Sequence, residues 1–513
     1  MIVRRSHLAA LFALAIGFAQ FRESGDPALA AHLELTLQPR MPARVYLFKD
    51  GRPFRLSPVQ AVLPLRVDLF YRERLWRNAA DPDTLEVTCN DFSHFLLLKG
   101  RGSYDLPAGK YRIEAYRGLF YTPFTAEFEL KAGETRNVEI ALKDWTNGAA
   151  GQWLSGDDHI HLIRSREDDP VFLSWLEAED LSAGNFLQLQ RQLDAAAQYG
   201  FGPQAEARRP GYSIRSGHES RSEYFGHINF LGGRQIIRPL SIGTMYANSP
   251  LTDHYPAILF QQGRAAGAAT GYAHFSGSTP HSAMLMDLAL GNIDFLEVFQ
   301  FGVLKKQEWY QLWNAGFRIT GIAGSDFPVP LNRTKDWPRY IPLLGPERTL
   351  VRKQGAGSAF EGWVRGVKSG DVVVSNGPLL EFSVTANTAR ATARFFRPLE
   401  AVEIVVNGQV VAAKPGDGSA TELSVTATVP EGAHWAAART TARKLAGEPD
   451  IQAHTNAIFR GMPVDPDARA ALARQWQAEV DWYRTGPLVF STQGRREEFF
   501  ARATKAMEVL RKR

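Results

Sequence analysis

The sequence predicts an α/β centre set between two β-rich regions and followed by a helical tail. Three observations carry this. Apolar residues alternate with polar ones between glycine turns over residues 32–145. Helical patterns then alternate with short apolar strands over 146–380, the texture of βα units and a parallel sheet. Strand-like runs return over 381–462, before helical spacing takes over in 463–513.

In the first region "LPAGKYRIEAY" has a Pro/Gly turn, after which Tyr111, Ile113 and Ala115 alternate with Lys110, Arg112 and Glu114. Val138, Ile140 and Leu142 continue the pattern, so 32–145 reads as a small antiparallel sandwich. In the centre, "PHSAMLMDLALG" places Leu285, Leu288 and Ala289 at helical spacing with Gly291 as a stop, and the strand "IDFLEVF" follows. "KKQEWYQLWNAG" and "FRITGIAGSDF" repeat the scheme. In 381–462, "VEIVVNGQVVA" is a hairpin signature, because Asn407 and Gly408 suit the positive φ angles of a two-residue turn. In the tail, Phe499, Ala503, Met507 and Leu510 form one apolar stripe, a docking face.

At 513 residues the chain is long enough for several hydrophobic cores. Its 44% hydrophobic and 22% charged residues are ordinary for a globular protein. The net charge of +5 comes without any long Lys/Arg run, which argues against a nucleic-acid partner. Cys89 is the single cysteine, so an intramolecular disulfide and a cysteine-rich zinc site are excluded. Any metal must be held by His, Asp and Glu.

The start, "MIVRRSHLAALFALAIGFAQ", sets Arg4 and Arg5 before an apolar run over 8–19 that is short for a bilayer span. Residues 1–31 therefore read as a signal peptide. The expectation is an exported protein, periplasmic or secreted, with no stable membrane insertion after processing.

Seven of the twelve histidines fall between His159 and His281. In "SGDDHIHL", His159 and His161 project from one face if the segment is a strand, and two imidazoles so placed can share a metal. Further groups that ionise or ligate stand where strands give way to loops: Asp180 in "EAEDL", Glu219 in "SGHES", His227 in "FGHINFLG", His274 in "GYAHF", Glu297 in "FLEVF" and Asp326 in "GIAGSDF". In α/β barrels that edge is where catalytic residues converge. Asp158 stands where it can orient a ligand imidazole, and Glu297 reads as structural or as a support behind the ligands. His218, next to Glu219, points the opposite way. His281, Arg339 and Tyr340 are candidates for contact with substrate, and His454 for pinning the last region to the centre.

The joint order of these pieces, with "WYQLWNAGFRI", "VVVSNGP" and "AHTNAIF", resembles the PHP superfamily, named for polymerase and histidinol phosphatase domains. It is most similar to the carbaryl-hydrolase (CehA/McbA-like) branch. The resemblance spans about 146–460. It implies a distorted (β/α) barrel with metal at the C-terminal mouth of its strands. His159, His161, Glu219 and Asp326 would hold the first ion, and Glu219 would bridge to a second held by His227 and His274. The chain departs from the family pattern where Leu181 follows Asp180 and where Pro328 replaces a terminal histidine. Two ligands of a third ion are thereby missing, so one or two divalent ions are expected, zinc first, with manganese or iron as alternatives.

The activity this implies is hydrolysis of an ester, carbamate or amide bond of a small molecule through a metal-activated water, with Asp326 or Asp180 taking the proton. No G-x-S-x-G elbow competes for that role. A PHP-type phosphoesterase is the rival within hydrolases, and a non-catalytic secreted protein that binds glycans or polymers is the rival outside them.

Overall fold

The computed structural model describes residues 30–512 except 55, 57–60, 67–73, 79–83, 90–92, 192, 329–342 and 462–463. Residues 1–29 of the expected leader lie outside these, while Ala30 and Ala31 already begin the first strand. Among the described residues no helix is long and apolar enough to cross a membrane.

The N-terminal region is built from strands whose alternation is plain in the sequence. In Ala30–Gln38 every second residue is buried. That strand runs parallel to Thr135–Ala141 and antiparallel to Arg101–Pro107. A second sheet is centred on Ala43–Lys49 and Gly109–Tyr116. Leu33, Leu35 and Leu37 of the first sheet and Val45, Leu47 and Ile113 of the second share one hydrophobic cluster.

The α/β barrel expected for 146–380 is overturned. The strands of that span belong to one mixed sheet of 18 strands that runs on into the region beyond 380. Some neighbours are parallel, as βα units require: Trp153–Ile160 with Ala183–Arg191, Ala183–Arg191 with Tyr212–Ser222, and Phe295–Gln300 with Thr320–Ala323. Others are antiparallel. Ile228–Leu231 pairs antiparallel with both Tyr212–Ser222 and Ala269–Tyr272. For the pairing with Tyr212–Ser222 the reason is chain length: residues 223–227 are too few for a parallel crossover, which needs about a dozen residues. Arg348–Arg352 likewise pairs antiparallel with both Trp153–Ile160 and Val372–Ser375.

The separate sandwich expected for 381–462 is corrected by the same sheet. Val372–Ser375 pairs with Ile451–Thr455, which draws Trp435–Ala442 and Leu399–Val406 into it. Leu379–Thr385, Thr388–Arg394 and Glu422–Thr428 form a small sheet of their own. The hairpin at Asn407 and Gly408 is present, both residues with positive φ, and Val406 faces Gln409 across it.

Two helices close the chain, Pro466–Thr485 and Gln493–Arg511. The stripe of Phe499, Ala503, Met507 and Leu510 is buried in the central core together with Trp476 and Tyr483. Helix Ala359–Ser369 starts at a complete capping box, Ser358 with Glu361, and ends at a left-handed Gly370. Its Trp363 lies against Gly156, where a Cβ atom would stand 2.2 Å from the indole. A side chain at 156 would therefore displace the strand that carries His159.

Candidate metal centre

Backbone pairing brings the first ligands together. His159 is near the end of Trp153–Ile160, with His161 just beyond it. The segment carrying Asp326 zips onto them: the His161 N–H donates to the Phe327 carbonyl at 2.7 Å, and the Phe327 N–H to the His159 carbonyl at 3.1 Å. The Asp157 carboxylate fastens both segments by accepting from the backbone N–H of His159 (3.0 Å), Ser325 (3.0 Å) and Gly345 (2.8 Å). Gly324 allows the approach, since a Cβ there would stand 2.2 Å from Asp158 Oδ1. Glu219 reaches in from Tyr212–Ser222, His227 from just before Ile228–Leu231, and His274 from just beyond Ala269–Tyr272. His274 and Asp326 both hold positive φ, at 54° and 51°.

All six residues expected as ligands meet. His159 Nε2 and His161 Nε2 are 3.1 Å apart, and each lies 3.2 Å from Asp326 Oδ1. Glu219 Oε2 is 3.3 Å from His161 Nε2, and its other oxygen is 3.1 Å from His227 Nδ1. His274 Nε2 is 3.7 Å from Asp326 Oδ2. Three overlapping groups result: His159, His161 and Glu219; His159, His274 and Asp326; Glu219, His227 and His274.

These buried groupings of His, Asp and Glu can hold a metal ion, and two features show the fit. Donors at about 2.0–2.1 Å from a tetrahedral ion stand about 3.3 Å from each other, close to the separations around His161. In addition Glu219 Oε1, His227 Nδ1 and Asp326 Oδ1 are buried without a hydrogen-bond partner. Buried polar atoms are ordinarily satisfied, and cations held within these groups would satisfy all three.

The remaining nitrogen of each histidine is held by an acceptor, which sets the ring and its tautomer. His159 Nδ1 faces Glu297 Oε1 at 3.1 Å, with the Asn229 amide also 3.1 Å away. His161 Nδ1 faces the Leu187 carbonyl at 3.4 Å, His227 Nε2 the Tyr246 hydroxyl at 3.2 Å, and His274 Nδ1 Gln300 Oε1 at 2.5 Å. Glu297 also accepts the His274 backbone N–H at 2.6 Å. Asp158 forms a further group with His159 and Glu297.

Asp157, Asp158, Glu219, Glu297 and Asp326 are all buried, so negative charge is concentrated where water cannot screen it. Burial pushes the carboxyls of Asp157, Asp158 and Glu297 up, Asp158 and Glu297 well above the usual range. Burial acts the same way on Glu219, but Arg221, His161 and His227 outweigh it and hold that carboxyl well below the usual range. Asp326 is held down to about 2 against burial, by His159, His161 and His274. Burial disfavours charge on His161, yet Asp326 and Glu219 push it up to about 9. His227, with burial dominant, falls to about 4. Positive charge is thus drawn to the nitrogen that faces both carboxylates.

Other expected site residues lie elsewhere. The Asp180 carboxylate faces Tyr212 (3.0 Å) and Arg117 (3.5 Å), and its carbonyl accepts from Ser155 Oγ at 2.6 Å. Ser155 precedes His159 by four residues, roughly 13 Å of extended chain, so Asp180 sits at the far end of the strand and is withdrawn as a catalytic group. Neighbouring Glu179 pairs with Arg44 of the N-terminal region at 2.8 Å. His281 is also withdrawn from substrate contact: it stacks on Trp482 with ring centroids 3.5 Å apart and pairs with Glu479, tying down a C-terminal helix. Arg339 and Tyr340 lie outside the described residues. His218 stacks on Phe230 away from the ligands, and His454 is bound to Tyr310.

The reading of the sequence missed Asp157, Arg221, Asn229, Tyr246 and Gln300. Arg221 and Asn229 were open to inference, each lying two residues beyond a ligand and so on its face of a strand. Tyr246 and Gln300 carried no such signal.

No protein-family model matches this chain. No curated protein matches it either. Among solved structures, PsfC from Pseudomonas syringae aligns at 14% identity over 42% of this chain and 90% of its own, with a TM-score of 0.28. A likeness that slight carries no argument about fold or function.

Proposed function

We propose that this chain is a metal-dependent hydrolase of small-molecule ester, carbamate or amide bonds, akin to the carbaryl-hydrolase branch of the PHP superfamily. One observation carries the reading: the Glu219 carboxylate stands between His161 and His227, one oxygen toward each, at the middle of six convergent donors. His159, His161, Asp326 and Glu219 would hold one divalent ion, and Glu219, His227 and His274 a second. Zinc suits the mixed nitrogen and oxygen donors best, with manganese or iron as alternatives. Such an ion supplies Lewis acidity and acidifies water.

The chain's own residues account for the rest. Glu297, Asn229, Gln300 and Tyr246 hold the imidazoles in place. Asp326 Oδ1, facing the Nε2 atoms of both His159 and His161, would be taken by the ion, which leaves Oδ2 as the acceptor for the proton of the attacking water. His227, His274 and Asp326 retain 7–10% side-chain exposure while His159, His161 and Glu219 have none, so substrate approaches from their side. Beside His274 a cavity of about 570 Å³, walled in part by Phe275, Met284, Leu285 and Phe301, is of a size for a small organic molecule.

The test is to count bound metals on the purified protein and assay 1-naphthyl ester and carbamate hydrolysis with and without a chelator. Loss on chelation and recovery with added ion are expected. Full activity after complete metal removal, or in the H159A/H161A protein, overturns the reading. Faster cleavage of bis-p-nitrophenyl phosphate than of acyl esters replaces it with a phosphoesterase.

A further inference from the structure

Arg221 belongs to none of the donor groups, yet its side chain reaches the middle of the centre. It stands two residues beyond Glu219 on one strand, so both side chains project from the same face. Its Nε–H donates to Glu219 Oε2 at 2.8 Å, and both residues are buried. The strand is anchored at that point, with the Arg221 N–H donating to the Leu240 carbonyl at 3.0 Å and Arg221 in register with Ser241.

The contact constrains how the carboxylate can be used. Oε2 spends part of its accepting capacity on Arg221 while facing His161, whereas Oε1 faces His227 with no hydrogen-bond partner. Turning the carboxylate so that both oxygens address the His159–His161 position breaks a buried charge-assisted bond, roughly twice as strong as a neutral one. A carboxylate held in one plane, with its oxygens directed to different histidines, is set to bridge and not to chelate. We infer that Arg221 is a positioning residue that keeps Glu219 spread across two cation positions.

This rests on the cation reading above, and the experiment separates the two. Co2+ is titrated into the metal-free full-length protein, with uptake read by elemental analysis and by visible absorption, for wild type, R221M and R221K. Melting temperatures without metal confirm that each variant is folded. The wild type is expected to take up two ions. In R221M the freed carboxylate chelates the first ion, held as tightly as before or tighter, while the second binds at least tenfold more weakly. R221K retains the charge without the planar N–H donor and is expected to lose the second ion as well; it also carries the test if R221M does not fold. Two ions bound with wild-type affinities in R221M or in R221K overturn the assignment, as does a wild type that takes up one ion. Equal weakening of both ions in a folded variant also overturns it. A wild type that takes up no ion removes the cation reading itself, and this assignment with it.

Discussion

The Nε2 atoms of His159 and His161 stand 3.1 Å apart and face the same Asp326 oxygen. Two neutral imidazoles have only one ring proton each, and the Nδ1 atoms here face the acceptors Glu297 and Leu187. The pair of Nε2 lone pairs then repel each other unless a proton or a metal ion lies between them. A divalent ion is expected to raise the melting temperature of the wild type by clearly more than that of H159A/H161A, which keeps only the donors of the second position. At a hundred times its dissociation constant the ion adds about 2.7 kcal/mol, which thermal unfolding with and without Zn2+ reads directly. Equal shifts in both proteins would place the bound ion elsewhere.

Glu297 touches both His159 Nδ1 and the His274 backbone N–H. Glu297→Gln leaves an acceptor in place but removes the carboxyl that would turn anionic behind a bound ion and make His159 a stronger donor to metal. Competition with a chromophoric chelator is expected to show affinity lower by about 10–100-fold, with little change in melting temperature without metal. Unaltered affinity makes Glu297 structural only.

Gly156 is expected to tolerate no side chain. Gly156→Ala puts a methyl group into the indole of Trp363, which is buried in the central core. Overpacking of this kind costs about 1–3 kcal/mol. Urea unfolding should give a lower midpoint with an unchanged slope, and the double variant G156A/W363L should recover part of the loss.

Asp287 gives a pH prediction away from the metal centre. Its carboxyl is buried and accepts from the Tyr272 hydroxyl at 2.8 Å and the Asn292 amide at 2.8 Å. Burial pushes it up to about 7, against those two bonds and the more distant Arg502. The folded protein then binds this proton more tightly than the unfolded chain. The stabilising contribution is full below about pH 4, is lost as pH rises toward 7, and is flat above that. The loss is at most roughly 4 kcal/mol. His218 and His454, pushed down by burial to about 3, act with the opposite sign below about pH 6.5, so the difference between proteins is the useful quantity. Asp287→Asn should gain stability relative to wild type as pH rises from 4 to 7 in urea unfolding. A constant difference across that range would rule out titration of Asp287 as the cause.

Much of the candidate centre was legible before the fold was known. His159 and His161 share a face because side chains alternate along a strand, and His218 is turned from Glu219 for the same reason. Asp180 misled because it is an acid at a boundary between elements, and local pattern does not tell which end of a strand it occupies. In the fold it anchors the contact with Arg117 of the N-terminal region. His281 misled likewise, since Trp482 and Glu479 reach it from a helix about two hundred residues later in the chain.

What the residues alone determined was local: the alternation of Ala30–Gln38, the turn at Asn407 and Gly408 and the buried stripe of the last helix, while the grouping of the six donors came through the resemblance in motif order. Each follows from side-chain direction along one segment, or from the order of short motifs. Tertiary structure alone decided that the central strands join a mixed sheet with those beyond residue 380, through pairs such as Val374 with His454. Strand pairing is a bond between backbones, and backbone N–H and C=O groups are the same at nearly every residue. The partner of a short buried strand is therefore set by chain connectivity and by what packs on its faces, neither of which a single segment records.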